Sequence, residues 1–299
     1  MKQILYLSTY IGKDHFFQEK RNERPNVRNY DLIGPKYAFN KILIGIGYYI
    51  CPRFLYFLYD NWKKEIDNYE VVIIDSRRAG KFAVQWIKKK YPKIRVIVWY
   101  WNQVSAKELN PDFCKKYGCE VWSFDKTDCE KYGMNFNDQY LLVSDIDNVV
   151  SNVIDLTYVG GWSEKREKQL MKITSQFEDI KGYYHLVHNQ NEWIPYEKYI
   201  RLIKRSKGIL EINKEGQSGL TLRALEALFY KKKLITNNIS IMNEMVYNKK
   251  NIYIIGVDNN KSVKEFLSEP YFILENYDDL VSYYSFDSWI KRIYEFRSI

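Results

Sequence analysis

Short apolar runs rich in β-branched residues recur along this chain, and nearly every one is followed by a stretch with helical spacing. QILYLST (3–9), VVIIDS (71–76), IRVIVWYWN (94–102), VWSFD (121–125) and QYLLV (139–143) read as buried strands. AGKFAVQWIKKKYP after the second run has helical periodicity and stops at Pro92, and KTDCEKYG after the fourth reads as a short helix. The pattern then restarts. DLTYVGG (155–161), GYYHLVH (182–188), GILEI (208–212), KLITNN (233–238) and NIYIIG (251–256) are strand candidates. They alternate with the helical stretches EKREKQLMKITSQF, PYEKYIRLIKRS and GLTLRALEAL, and SFDSWIKRIYEF (285–296) closes the chain. Strands alternating with helices build parallel α/β sheets. The expected architecture is therefore two α/β halves: 1–154, 155–284, and a terminal helix over 285–299. No strong internal sequence repeat accompanies it.

Composition narrows the class. The chain has 299 residues, 46% hydrophobic, without a low-complexity tract, which supports a real core. The formal net charge of +9 favours anionic partners. Its cations are spread along the chain rather than gathered into a tail or a nucleic-acid motif, so phosphorylated small molecules are expected and nucleic acid is not. The four cysteines form no CxxC pair and read as reduced thiols. The N-terminus lacks the apolar run of a signal peptide, and a cytoplasmic location is expected. ILIGIGYYICPRFLYFLY (42–59) carries one charge. It reads either as a buried, kinked helix pair or as a helix lying in a membrane interface; Pro52 and Arg53 argue against a span.

In open α/β sheets, ligands bind beyond the carboxyl ends of the strands. Gly160 and Gly161 stand there, with Lys165 and Arg166 one turn on. So does the stretch Lys214 to Gly219 after GILEI, with Gln217, Ser218 and Gly219 leading into the helix. Helix N-termini take phosphate well, and glycine lets an oxyanion approach the backbone. At helical spacing from Leu220, Arg223, Glu226 and Tyr230 form one stripe. Arg223 is placed to pair with phosphate and Glu226 to accept a ribose diol. The alternative is a plain Arg223–Glu226 ion pair. His188 borders the expected site for the base.

The run GLTLRALEALFYKKKLITNN resembles the donor-binding helix and following strand of GT-B glycosyltransferases. WYWNQ and VWSFDKTDCEKYG are similar to bacterial members that build capsule or lipopolysaccharide chains. The resemblance implies two Rossmann-like domains facing a cleft, an N-terminal acceptor domain, a C-terminal nucleotide-sugar domain and a terminal helix crossing back. It implies hexosyl transfer from a nucleotide-diphosphate sugar, UDP by preference, to a lipid-linked or polysaccharide acceptor, peripheral on the inner face of the cytoplasmic membrane. Many retaining members carry two glutamates eight positions apart here. Eight before Glu226 stands Ser218, so retention or inversion stays open.

An inverting reaction needs a general base. Asp14, His15 and Asp75 are the candidates, each with a structural alternative: a helix cap, a surface imidazole and an ion pair. Asp145 and Asp147 form a D-x-D pair of the kind GT-A glycosyltransferases use to hold a divalent ion. At the presumed linker they read more simply as a polar connector. No metal cofactor is expected in the GT-B reading, because Arg223, Lys165, Arg166 and helix dipoles neutralise the leaving diphosphate. A non-catalytic nucleotide-sugar-binding module is the further alternative.

Overall fold

A computed structural model describes residues 3–9, 15–34, 41–142, 151–177, 179–213 and 216–296. The chain forms two compact units, residues 1–138 with 292–299 and residues 139–291. Residues 139–153 and 285–291 thus go with the second unit.

The first unit holds a sheet of β1 (Ile4–Ser8), β2 (Val27–Asp31), β3 (Val71–Asp75), β4 (Arg95–Tyr100), β5 (Glu120–Ser123) and β6 (Asn135–Phe136). All pairs are parallel, in the order β2-β1-β3-β4-β5-β6. β1 and β3 are buried along their whole length, as strands covered on both faces must be. The second unit repeats the scheme with β7 (Ile154–Gly161), β8 (Gly182–Val187), β9 (Ser206–Glu211), β10 (Lys233–Thr236) and β11 (Ile252–Ile254), parallel in the order β11-β10-β9-β7-β8. Counted from its own first strand, the first sheet runs 2-1-3-4-5-6 and the second 2-1-3-4-5. Strand order reverses between the first and third strands, so the ligand crevice of such a sheet lies there, past the carboxyl ends. In the first unit that point is β1/β3; in the second it is β7/β9.

Close packing fixes the second sheet in detail. A Cβ on Gly208, in the middle of β9, would meet the Leu267 side chain at 2.7 Å and the Lys233 carbonyl at 3.1 Å. The glycine lets the Val263–Ser268 helix lie directly on the strand. The core beside it gathers Leu156, Leu210, Ile235, Phe266 and Leu267.

Three expectations change. Val27–Asp31, not anticipated, is a strand: it alternates buried and half-buried residues at the edge of the sheet. The described part of 139–143 is not a fifth strand. Leu141 makes only an isolated bridge to Ser285, while Tyr140 packs 4.4 Å from Trp289 and 5.0 Å from Phe286. The helix of GLTLRALEAL spans Leu222–Phe229 and opens two residues later than its apolar spacing suggests, because Thr221 caps it by accepting from the Arg223 N–H at 3.1 Å.

The terminal helix, Phe286–Glu295, ends in the first unit as expected. There Arg95 donates to the carbonyls of Ile293 and Tyr294 at 2.8 and 3.0 Å, and the Tyr294 hydroxyl donates to Glu70 at 2.7 Å. Segment 42–59 is broken into the short turns Lys41–Gly45, Ile46–Ile50, Pro52–Phe54 and Leu55–Leu58. No helix among the described residues is long and apolar enough to cross a membrane.

Candidate functional site

The second unit's switch point is built from glycine and arginine. A Cβ on Gly160 would lie 2.6 Å from the Tyr158 hydroxyl, so the tyrosine ring folds over the glycine. Gly161 faces only the Arg166 guanidinium, 3.8 Å from where its Cβ would stand. Arg166 donates to the Gly161 carbonyl. Ser163 caps the Glu164–Thr174 helix by accepting from the Arg166 N–H at 3.3 Å, and Lys165 is exposed beside it. The half-buried Arg223 reaches the same strand end. It donates to the Val159 carbonyl, and its guanidinium lies 5.3 Å over the Tyr158 ring. Its Nε is buried without a hydrogen-bond acceptor. A cation, two glycines and a helix N-terminus thus meet at the β7/β9 crevice, a combination that favours a phosphate group.

Glu226 does not join them. It is 2% exposed, and its two oxygens accept the hydroxyls of Tyr196 and Tyr199, each at 2.9 Å. Burial pushes its carboxyl up to about 7, against the pull of Arg223 and the two hydroxyls. The expected ribose ligand is therefore a buried strut between the Leu222–Phe229 and Tyr196–Lys204 helices. Tyr230 is buried too, so the polar stripe faces inward rather than lying on the surface, with the Arg223 charge still acting on Glu226. Glu211, absent from the sequence reading, ends β9 at 1% exposure. It accepts hydrogen bonds from Thr221 and Thr236, tying the helix cap to the ends of β9 and β10.

On the β8 side, His188 and Trp162 stack at 5.2 Å between centroids, with an interplanar angle of 26°. The His188 Nδ1 lies 3.0 Å from Glu192, and the Trp162 indole donates to Glu167 at 2.9 Å. Past the ends of β9 and β10 opens a cavity of about 330 Å³, lined by Gln169, Asn213, Gly216, Gln217, Asn237, Asn238, Ile239 and Ser240. Of these, Gly216 and Gln217 fall in the stretch that the sequence singles out. Gly219 is buried and Ser218 half-buried in the adjoining loop. The signal for the others was the polar pair Asn237–Asn238 directly after KLIT, which reads as a turn unless the strand order is known.

The first unit's switch point has a different content. Asp75 is 2% exposed and accepts from the Tyr6 hydroxyl at 2.7 Å, the Trp101 indole N–H at 2.8 Å and the Thr9 N–H at 3.3 Å. Arg21 lies 3.9 Å over the Tyr6 ring and donates to Asn29 at 3.0 Å. Burial raises the Asp75 pKa, against Arg21 and these donors. A carboxylate so enclosed and so fully engaged holds its neighbours in place and has no access to an acceptor hydroxyl; the candidate base is corrected to a positioning group. Asp14, Asp145 and Asp147 lie outside the described residues, as does the His15 side chain. Among the described residues no cluster of three or more His, Cys, Asp or Glu is arranged to hold a metal ion.

These features define the class by fold: an α/β protein of two Rossmann-like domains, of the GT-B type. Two solved structures are similar over nearly the whole chain. One is AviGT4, a glycosyltransferase involved in avilamycin A biosynthesis, at 9% identity and a TM-score of 0.50, covering 98% of this chain and 96% of that one. The other is the T4 phage BGT, solved in complex with UDP and Mn2+, at 11% identity and a TM-score of 0.52, covering 97% and 95%. No family model matches the sequence, and no curated protein is similar to it.

Proposed function

We propose that this chain is a glycosyltransferase that transfers a hexose from a nucleotide-diphosphate sugar, with UDP the preferred carrier, to a lipid-linked or polysaccharide acceptor in surface-glycan synthesis. One observation carries the reading: Gly160, Gly161, Arg166 and Arg223 converge on the β7/β9 switch point of the second sheet, beside an open cavity. The guanidinium of Arg223, the exposed Lys165 and the capped helix N-terminus offer positive potential where a leaving diphosphate develops charge. That supply of charge supports transfer without a resident metal ion. The stacked His188–Trp162 pair offers a face for the base.

Exposed side chains of the first unit support a peripheral membrane position. Ile42, Ile50 and Phe57 are 76%, 76% and 66% exposed, and Arg53 and Lys64 stand exposed in the same stretch of sequence. Exposed apolar side chains beside cations suit an anionic lipid surface, where a lipid-linked acceptor would be met.

A thermal-shift screen against UDP, GDP, CMP and dTDP sugars, each with and without Mn2+, tests the reading. Stabilisation by one nucleotide class, retained with chelator and lost in Arg223→Gln, is expected. No shift with any nucleotide would remove it.

A further inference from the structure

Two buried carboxylates share one guanidinium between the end of β9 and the Leu222–Phe229 helix. Glu211 is 1% exposed and accepts from the hydroxyls of Thr221 and Thr236. Glu226 is 2% exposed and accepts from those of Tyr196 and Tyr199. Arg223 stands one turn before Glu226 on the same helix, and both carboxylates act on its charge. Its bonding is directed elsewhere. It donates to the Val159 carbonyl and lies over the Tyr158 ring, at the strand end where the proposed diphosphate docks.

With all three groups ionised, the cluster holds one net negative charge away from water, which is costly. With one carboxyl protonated it is neutral. Glu226 is the group suited to take that proton, since burial already pushes its carboxyl up to about 7. Its partners accommodate both states: a phenol donates to a carboxylate and, when turned, accepts from a carboxylic acid. Among the described residues, the other titratable groups around Glu226 are phenols. Tyr196 and Tyr199 touch it, with Tyr230 beside the first and Tyr158 beside the second. Burial and the neighbouring carboxylate hold Tyr196 and Tyr199 well above the usual phenol range, so neither carries charge. Lys204 lies 5.7 Å over the Tyr230 ring, and His188 is turned to Trp162 and Glu192 on the β8 side. Lys214 and Glu215 lie outside the described residues.

We infer that Glu226 is a positioning residue for the donor: it takes up a proton as a diphosphate docks on Arg223, which leaves the whole guanidinium charge to the ligand and makes binding proton-linked. This rests on the nucleotide-sugar reading. One carboxyl O–H bond forms, the proton comes from a buffer acid, and no other bond changes. Linkage is reciprocal, so the factor by which the proton tightens the diphosphate is the factor by which the diphosphate tightens the proton.

Titration calorimetry of the full chain with UDP tests it, in buffers of different ionisation enthalpy at about pH 6, 7.5 and 8.5, on the wild type and Glu226→Gln. Glutamine is neutral at every pH and stands for the protonated acid. The variant is expected to match the wild type within about twofold at the lowest pH and to bind UDP roughly three- to tenfold more tightly at the highest. At the middle pH the wild type should take up roughly 0.3–0.5 more proton per UDP than the variant. Protons exchanged by UDP itself, or by groups other than Glu226, are common to both proteins and cancel. Where Glu226→Gln does not fold, Tyr199→Phe decides: with one donor to the carboxylate gone, the fall in affinity should move to higher pH, and an unmoved profile overturns the inference. A constant affinity ratio with equal proton counts also overturns it and leaves the nucleotide reading standing. So does a Glu226→Gln variant weaker than wild type at every pH. Failure of the wild type to bind UDP overturns both.

Discussion

At the switch point of the first sheet a carboxylate, a phenol and an indole are bonded to one another, with a guanidinium stacked on the phenol. At that of the second, two glycines and a guanidinium stand beside an open cavity. Strand order is the same in both over the first five strands. The difference shows that topology supplies a crevice and side chains decide its use. Asp75, Tyr6 and Trp101 satisfy each other, so that point rigidifies the sheet edge. Around Gly161, the Arg223 Nε and the Asn213 amide nitrogen are buried without an acceptor, and beside the first switch point the Asn29 amide nitrogen lacks one as well.

The comparison is broken most severely at Asp75. Asp75→Ala removes the acceptor of two side-chain donors and leaves buried Arg21 without its facing charge. Denaturant unfolding should show a loss of about 3–5 kcal/mol. A loss under 1 kcal/mol would mean that the first switch point is not held by this carboxylate.

The second unit's own buried carboxylate gives the next effect, in pH. The folded pKa of Glu226 is raised, to about 7 from 4.5. Its contribution to stability is fully present below 4.5 and is lost as pH rises through 7, a change of roughly 3 kcal/mol. Glu226→Gln keeps a bond to each tyrosine and should flatten this part of the stability–pH curve. An unaltered curve in the variant would assign the dependence to another group.

Arg223→Gln sharpens the contrast between the two sites. It should weaken UDP binding about tenfold or more, roughly 1.4 kcal/mol, in titration calorimetry. Unchanged UDP affinity would move the diphosphate away from β7/β9. The smallest effect is expected at Trp162→Ala, where loss of stacking should cost about 0.5–1.5 kcal/mol of nucleotide affinity and alter the preference among bases. An identical ranking of UDP, GDP and CDP before and after would take the base off the His188–Trp162 face.

The β-branched runs make most strands legible, and Gly160–Gly161 and Arg223 mark the β7/β9 switch point in the sequence. Val27–Asp31 was hidden because an edge strand carrying Arg28, Asn29 and Asp31 lacks an apolar run. The QYLLV stretch had the run but not the pairing, since its partners Tyr284, Phe286 and Trp289 lie far along the chain. The place of Glu226 escapes the sequence for the same reason: local spacing shows which face of a helix a residue takes, and Tyr196 and Tyr199 decide what that face meets. The amide cavity draws on three separate stretches of sequence, so no single stretch announces it.

Hydrogen–deuterium exchange of the full chain with and without saturating UDP addresses the central claim most directly. The account predicts protection in the second unit, at 160–166, 216–223 and 237–240, with the backbone around Asp75 unchanged. Protection confined to residues around Tyr6, Asp75 and Trp101, or none anywhere, would contradict it.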